Sequence, residues 1–250
     1  LKLSTKEQQA RMNEWIISTD IAKAYDRTTV AIFQKCNEFL SDGRCISYII
    51  ARDLKQWEQM PYTELGRVMC RLDSNSELHH NNDLLVDSTG VGEAVCDVFE
   101  EAGLQPKRII FTGGESSKIR TSSRAFADFN PRRTINVPKA ELIDTLKLGL
   151  EQRRVRTAEG IAFEDDIKKQ FSHFVEMLTR TKKVTYGNDS PTVHDDIVCA
   201  YAMATWFFFQ EDGALKDFVY DTKRGYKTLS QSRYLKGSNE TADYDAEKTI

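Results

Sequence analysis

The apolar positions along the chain fall into short runs whose period changes from element to element. Trp15-Ile16-Ile17 leads into Ser18-Thr19-Asp20, an apolar run closed by a carboxylate. Thr28–Phe33 (TTVAIF) and Arg44–Leu54 (RCISYIIARDL) are rich in β-branched residues and read as strands. Ser41-Asp42-Gly43 lies between them and favours a hairpin turn. Three antiparallel strands are therefore expected to open the domain.

The period then lengthens. Leu65, Val68, Met69 and Leu72 recur at helical spacing and predict a helix within Pro61–Leu72. Asp83-Leu84-Leu85-Val86-Asp87 predicts a short buried strand, and Val91–Ala102 a helix that stops at Gly103. Arg108–Phe111 reads as a further strand closed by Gly113-Gly114. Strand, helix and strand in that order imply a parallel crossover. Residues 114–134 are rich in Ser and Arg and read as a long loop, a length uncommon without a function. Pro138 opens a helix to about Gln152, with Leu142, Ile143, Leu146 and Leu150 on one face. Asp165–Phe174 reads as a helix, and Val175–Tyr186 contains a strand. Asp195–Gln210 is apolar on all sides, which predicts a buried helix. The pattern implies an α/β domain over residues 15–212, built on a mixed sheet with helices on both faces. Residues 1–14 read as a linker or terminal helix and residues 213–250 as a polar, mobile tail.

Composition narrows the function. The net charge of −3 over 250 residues excludes a molecule that is basic overall, so any contact with nucleic acid must come from local patches. Three basic clusters are visible: Lys118, Arg120, Arg124, Arg132 and Arg133; Arg153, Arg154 and Arg156; and Arg180, Lys182 and Lys183. Each reads equally as a solvated face or a phosphate contact. Lys182 and Lys183 precede Val184-Thr185-Tyr186, a placement expected for a hairpin beside an active site. Five cysteines without a C-x-x-C pair read as reduced thiols of a cytosolic protein. No apolar run is long enough for a membrane span. The chain begins at Leu1 and not at Met, which reads as a fragment of something longer. Gly113–Lys118 is glycine-rich but lacks the Gly-Lys-Ser/Thr ending of a nucleotide-binding loop.

The candidate chemistry lies in Asp20, Asp87 and the pair Asp195-Asp196. Asp20 and Asp87 close two strands expected to be parallel, and Asp195-Asp196 open the last helix. Ligands of open α/β sheets gather outside the carboxyl ends of strands. Carboxylates meeting there make an oxygen-rich hollow suited to hard cations. Each acid also has a plainer reading: Asp87 or Asp195 as a helix cap, Asp20 as a solvated turn residue.

The segments Ser18-Thr19-Asp20-Ile21-Ala22 through Asp26, Leu84–Gly92, Phe111–Gly114, Val137–Leu142 and His194-Asp195-Asp196 follow one another in an order and spacing that resembles the nuclease domain of tailed-phage large terminase subunits. The resemblance spans roughly residues 15–210. It implies a ribonuclease H-like fold and two-metal cutting of concatemeric viral DNA during genome packaging, with Mg²⁺ or Mn²⁺ as cofactor. The implied partners are double-stranded DNA, an upstream packaging ATPase, the small terminase subunit and the portal. The implied setting is the cytoplasm of the infected host cell. Carried over by position, Asp20, Asp87 and one or both of Asp196 and Asp195 are the metal ligands. Asp26 is a supporting acid, and His194 either positions water or the leaving group or caps the helix. Lys118, Arg120, Arg180, Lys182 and Lys183 are the expected DNA contacts. The chain departs from the pattern at Cys199, where the family frequently has an acid. Two other readings remain: a resolvase or transposase core of the same fold, and a catalytically silent DNA-binding or assembly module. Clustered carboxylates repel one another, which argues against silence.

Overall fold

A computed structural model describes residues 14–21, 27–39, 41, 45–78, 81–113, 118–122, 132–178, 184–190, 192–212, 218–221 and 225–228. The β-branched opening runs form an antiparallel meander of β1 (Trp15–Asp20), β2 (Arg27–Phe39) and β3 (Cys45–Glu58). The chain then crosses over through α1 (Tyr62–Asp73) to β4 (Asn82–Asp87), which pairs parallel to β1. A second crossover, α2 (Gly92–Glu101), leads to β5 (Lys107–Thr112), parallel to β4. Beyond it come β6 (Lys118–Ser122) and β7 (Arg132–Pro138), the latter parallel to β5 and antiparallel to β6. After α3 (Lys139–Glu151), the short β8 (Val155–Thr157) pairs parallel to β3. The eight strands form one mixed sheet in the order β6-β7-β5-β4-β1-β2-β3-β8. Thus β2 and β4 share a sheet, as the sequence pattern predicts.

Both faces of the sheet are covered. On one side α1 and α2 pack through Leu65 and Met69 and through Val95, Cys96 and Phe99 onto Ile17, Val30, Ile32 and Val86. On the other lie α3, α4 (Glu164–His173) and α5 (Asp196–Asp212). They cover Ile16, Ala31, Phe33, Leu85 and Ile109. The alternation of Ile16/Ile17 and Leu84/Leu85 between the two clusters is the period-two pattern of strands buried on both faces. α5 is buried along most of its length, as its composition predicts. No helix among the described residues is long and apolar enough to cross a membrane. All five cysteines are free thiols.

Two segments differ from the sequence reading. The stretch read as a loop from 114 to 134 contains β6 and the start of β7. β6 lies at the sheet edge with the polar sequence KIRTS, so it lacks the apolar run that marks an inner strand. The segment read as a mobile tail contains a hairpin, β11 (Phe218–Asp221) and β12 (Gly225–Thr228), laid against α3. A separate hairpin, β9 (Phe174–Leu178) with β10 (Val184–Asn188), follows α4.

The edge of the sheet where β4 begins carries a buried charge network. Asp83, 3 % exposed, accepts from Lys35 Nζ at 3.0 Å and pairs with Lys107. Lys35 also reaches Glu211, in the last turn of α5, at 2.6 Å. Burial works against the Asp83 charge, but Lys107 and Lys35 outweigh it and hold the carboxyl below its usual range. A folded-state pKa below the unfolded value near 3.9 contributes stability above that pH, and this is lost as pH falls through the lowered value. Asp83→Leu takes the buried carboxylate from Lys107 and leaves Lys35 with Glu211 alone. It is expected to cost about 3 kcal/mol in urea denaturation at pH 7. The difference from wild type should shrink below pH 4 as Asp83 is protonated. A cost that does not change with pH would assign the effect to packing alone.

Candidate metal centre

Parallel pairing brings strand ends to one edge of the sheet. The β1–β4 register runs through Thr19↔Val86, and Asp20 and Asp87 are the next residues on their strands. Alternation decides which way they face. Ile16 and Leu85 lie in the core under α5, so Asp20 and Asp87, an even number of residues later, face the α5 side. Asp87 does not cap α2, whose N-cap is Val91. Its Oδ1 accepts instead from the Thr89 backbone N–H at 2.8 Å, which fixes the turn after β4. Gly92 makes this turn possible: a Cβ there would lie 1.8 Å from the Asp87 carbonyl oxygen.

α5 is tied over these acids. Ser18 Oγ, on the same face of β1, donates to the Ala200 carbonyl at 2.8 Å. Asp195 immediately precedes the helix, and its carbonyl accepts from Cys199 N at 2.9 Å. The Asp195 carboxylate is partly exposed and accepts from Lys139 Nζ at 3.0 Å.

Asp196 behaves differently. It is 3 % exposed and its oxygens are committed to protein donors. Gln170 Nε2, from α4, donates to Oδ1 at 2.8 Å. Thr29 Oγ1 and Gln56 Nε2 donate to Oδ2, and Gln56 also donates to Thr29 Oγ1 at 2.9 Å. Gln170 Oε1 in turn accepts from the Ile197 backbone N–H at 2.8 Å. Burial pushes the Asp196 carboxyl up, against the opposing pull of the Thr29, Gln170 and Gln56 hydrogen bonds. The sequence reading leaves open which of Asp195 and Asp196 binds metal. The geometry gives Asp196 to α4, β2 and β3 and turns Asp195 toward the cluster.

Cys199, one turn into α5, is buried beneath the start of the helix. Its thiol is raised far above the usual range by burial, then by the charges of Asp20 and Asp195, with Lys139 opposing and Asp87 adding. Asp20, Asp87 and Asp195 therefore all bear on one buried point. Among the described residues, no three His, Cys, Asp or Glu side chains close tightly enough to hold a metal ion as they stand. Like-charged carboxylates keep apart without a cation between them. The donor set itself fits a hard divalent ion: carboxylate oxygens from three elements, beside a thiol that stays protonated.

The remaining predicted residues fall around this centre or outside the described residues. His194 is exposed, and its carbonyl accepts from Asn188 Nδ2 at the base of the β9–β10 hairpin. Asn188 Nδ2 also donates to the Val193 carbonyl at 2.9 Å, so the hairpin base clamps the approach to α5. Asp26, Arg180, Lys182 and Lys183 lie outside the described residues, and Lys118 and Arg120 are described only as backbone of β6. The sequence reading missed Lys139, Thr29, Gln56 and Gln170 as parts of the site. Only Lys139 left a trace, as the basic residue after a strand-ending proline.

No protein-family model matches the chain, and no curated protein matches it in sequence. Solved structures do. The large terminase nuclease of thermophilic phage G20c with bound magnesium is 18 % identical, with 76 % of this chain and 79 % of that one covered at a TM-score of 0.50. The fold is that of a large terminase nuclease domain. The large terminase nuclease domain of Thermus phage P74-26 is 16 % identical over 76 % of this chain and 77 % of its own, with a TM-score of 0.47. The g2p large terminase nuclease domain of bacteriophage SPP1 with bound Mn is 10 % identical over 84 % and 92 %, with a TM-score of 0.44. The mixed sheet with its antiparallel opening is thus the ribonuclease H-like architecture of terminase nucleases.

The Asp196 network yields a test of its own. Gln170→Leu strands both Asp196 Oδ1 and the Ile197 N–H in a buried place. It is expected to cost roughly 3 kcal/mol of folding stability in chemical denaturation. Gln170→Glu, which sets a second carboxylate against Asp196, should cost more near neutral pH. A wild-type unfolding midpoint for Gln170→Leu would remove Gln170 as the anchor of α5.

Proposed function

We infer that this chain is a metal-dependent DNA endonuclease that hydrolyses phosphodiester bonds with two divalent cations, Mg²⁺ or Mn²⁺, and cuts concatemeric viral DNA during genome packaging. The observation that carries the reading is that parallel pairing sets Asp20 and Asp87 at the carboxyl ends of two adjacent strands, on the face that α5 covers, with Asp195 directly before that helix. The shared fold with the G20c large terminase nuclease supports it.

In this reading Asp20, Asp87 and Asp195 hold the cations. Bound there, divalent ions would supply a nucleophile by lowering the pKa of water and would offset the charge that develops on the reacting oxygens. The rest is done by the chain. Asp196 is a positioning residue, because it fixes the start of α5 and with it Asp195. Asp26 is a supporting acid. His194, exposed and next to Asp195 in the chain, either orients water or the leaving group or caps the helix. Residues 179–183, which join β9 to β10, carry Arg180, Lys182 and Lys183, and the hairpin base adjoins the site. These residues, with Lys118 and Arg120 of β6, hold the DNA backbone. The partners are double-stranded DNA and the packaging ATPase, small subunit and portal of a terminase, in the host cytoplasm.

Plasmid nicking with Mn²⁺ and with a chelator tests the reading. Asp20→Asn, Asp87→Asn and Asp195→Asn are each expected to reduce nicking to background. Asp196→Asn should cost about 10- to 100-fold, the range for groups that orient ligands, and Asp26→Asn less than Asp20→Asn. Wild-type nicking by both Asp20→Asn and Asp87→Asn would end the proposal. The silent-module reading draws on the lack of a ready-made three-ligand cage among the described residues. It replaces the enzyme reading if wild type binds duplex DNA but does not nick it at any Mn²⁺ concentration.

The basic hairpin connection has a separate readout. Lys182→Ala with Lys183→Ala should flatten the slope of log K against log salt for duplex DNA by roughly 0.9 per lysine. An unchanged slope would place these lysines on a solvated face.

A further inference from the structure

One cation already lies among the candidate ligands, and it belongs to the chain. Lys139 is the first residue of α3, directly after Pro138, which forms the last rung of β7 against Thr112 of β5. Its stem therefore starts from the same edge of the sheet as Asp20 and Asp87. Its Nζ donates to Asp195 Oδ2 at 3.0 Å, with about a third of each side chain exposed. Partial burial works against the ammonium; Cys199, Asp195 and Asp20 outweigh it and raise its pKa. Cys199 contributes only as a thiolate, a form its own burial disfavours. Asp195 and Asp20 are what hold the ammonium near neutral pH.

An ammonium bonded to Asp195 occupies the carboxylate oxygen that a divalent ion would take. At equal distance a divalent ion repels the ammonium about twice as strongly as the single charge of Asp195 attracts it, so metal binding at this acid favours displacing the lysine. The backbone of Lys139 is fixed by Pro138 and the β7 register, but its four-carbon stem is free to swing. In the same position Nζ lies 6.0 Å from the centre of the Phe174 ring, at the start of β9.

We propose that Lys139 is a built-in counter-cation of the metal site: it neutralises Asp195 in the metal-free protein, and a divalent ion binds by displacing it. The proposal rests on Asp195 being a metal ligand. The lysine then sets the metal affinity of the free domain by competition. It also accounts for a carboxylate cluster that does not close on itself, since the ammonium supplies the compensating charge from one side.

The test is Mn²⁺ binding to the whole chain without DNA, followed by calorimetry and by melting temperature. Lys139→Gln is expected to melt lower than wild type without metal and to bind Mn²⁺ roughly tenfold more tightly, within the usual range of coupling between two sites. Lys139→Met must behave as Lys139→Gln does, and Lys139→Arg, which keeps the charge, must keep the wild-type affinity. The gain must vanish when Asp195→Asn is added. Wild-type affinity in both neutral variants, with Asp195→Asn still weakening binding, overturns the role of Lys139 and leaves the metal site standing. Equal Mn²⁺ affinity of wild type and Asp195→Asn, or no binding by wild type and Lys139→Gln alike, overturns both.

Discussion

A single buried carboxylate determines where α5 begins. An aspartate removed from water is costly unless its oxygens are met by donors. Asp196 meets that condition with Thr29 from β2, Gln56 from β3 and Gln170 from α4, and Gln170 also takes the Ile197 N–H. Moving the helix start would break several of these bonds at once. At the far end, Glu211 joins the Lys35–Asp83 pair. Between the two polar nodes α5 is almost wholly apolar. Hydrophobic burial is strong but non-directional, so it holds the helix on the sheet without setting its register. The two nodes set the register, and the placement of Asp195 follows from it.

Adjacent aspartates thus divide one task. Successive residues entering a helix are turned by about 100°, so neighbours cannot face the same way. Asp196 turns into the protein and is satisfied there, whereas Asp195 turns toward Asp20 and Asp87. Cys199, beside these acids, adds no charge, because its burial keeps the thiol neutral. Lys139 offsets part of their charge. The opposite edge of the sheet solves the converse problem with two lysines about one buried aspartate. At both ends of the sheet, lysines of the chain itself are thus set against inward-facing acids.

Other features act at longer range than any motif. Thr29 is 167 residues from Asp196, and Gln56 is 140. Gln56 reaches the site because β3 is irregular. Phe33 pairs with Ala51, but Ile32 pairs with Asp53, so Arg52 is an extra residue in the strand. Ile49 and Ala51 face α5 before the bulge, and Leu54 faces it after. The inward positions shift from odd to even, and Gln56 becomes one of them. A strict period-two reading of RCISYIIARDL places Gln56 on the opposite face.

What the sequence determined by itself was local: the β-branched runs, the crossover helices with their glycine stops, the all-apolar last helix, and acids at strand ends and at a helix start. Periodicity and composition act over a few residues, and that is enough to specify elements and the order in which their ends carry carboxylates. The tertiary structure alone decided which of two adjacent aspartates faces the cluster, that a lysine from another strand end shares it, and that a polar segment without an apolar run completes the sheet as β6. Each of these depends on contacts between residues far apart in the chain, where helix rotation, one bulged residue and the pairing of buried charges select among arrangements that the local pattern leaves equal.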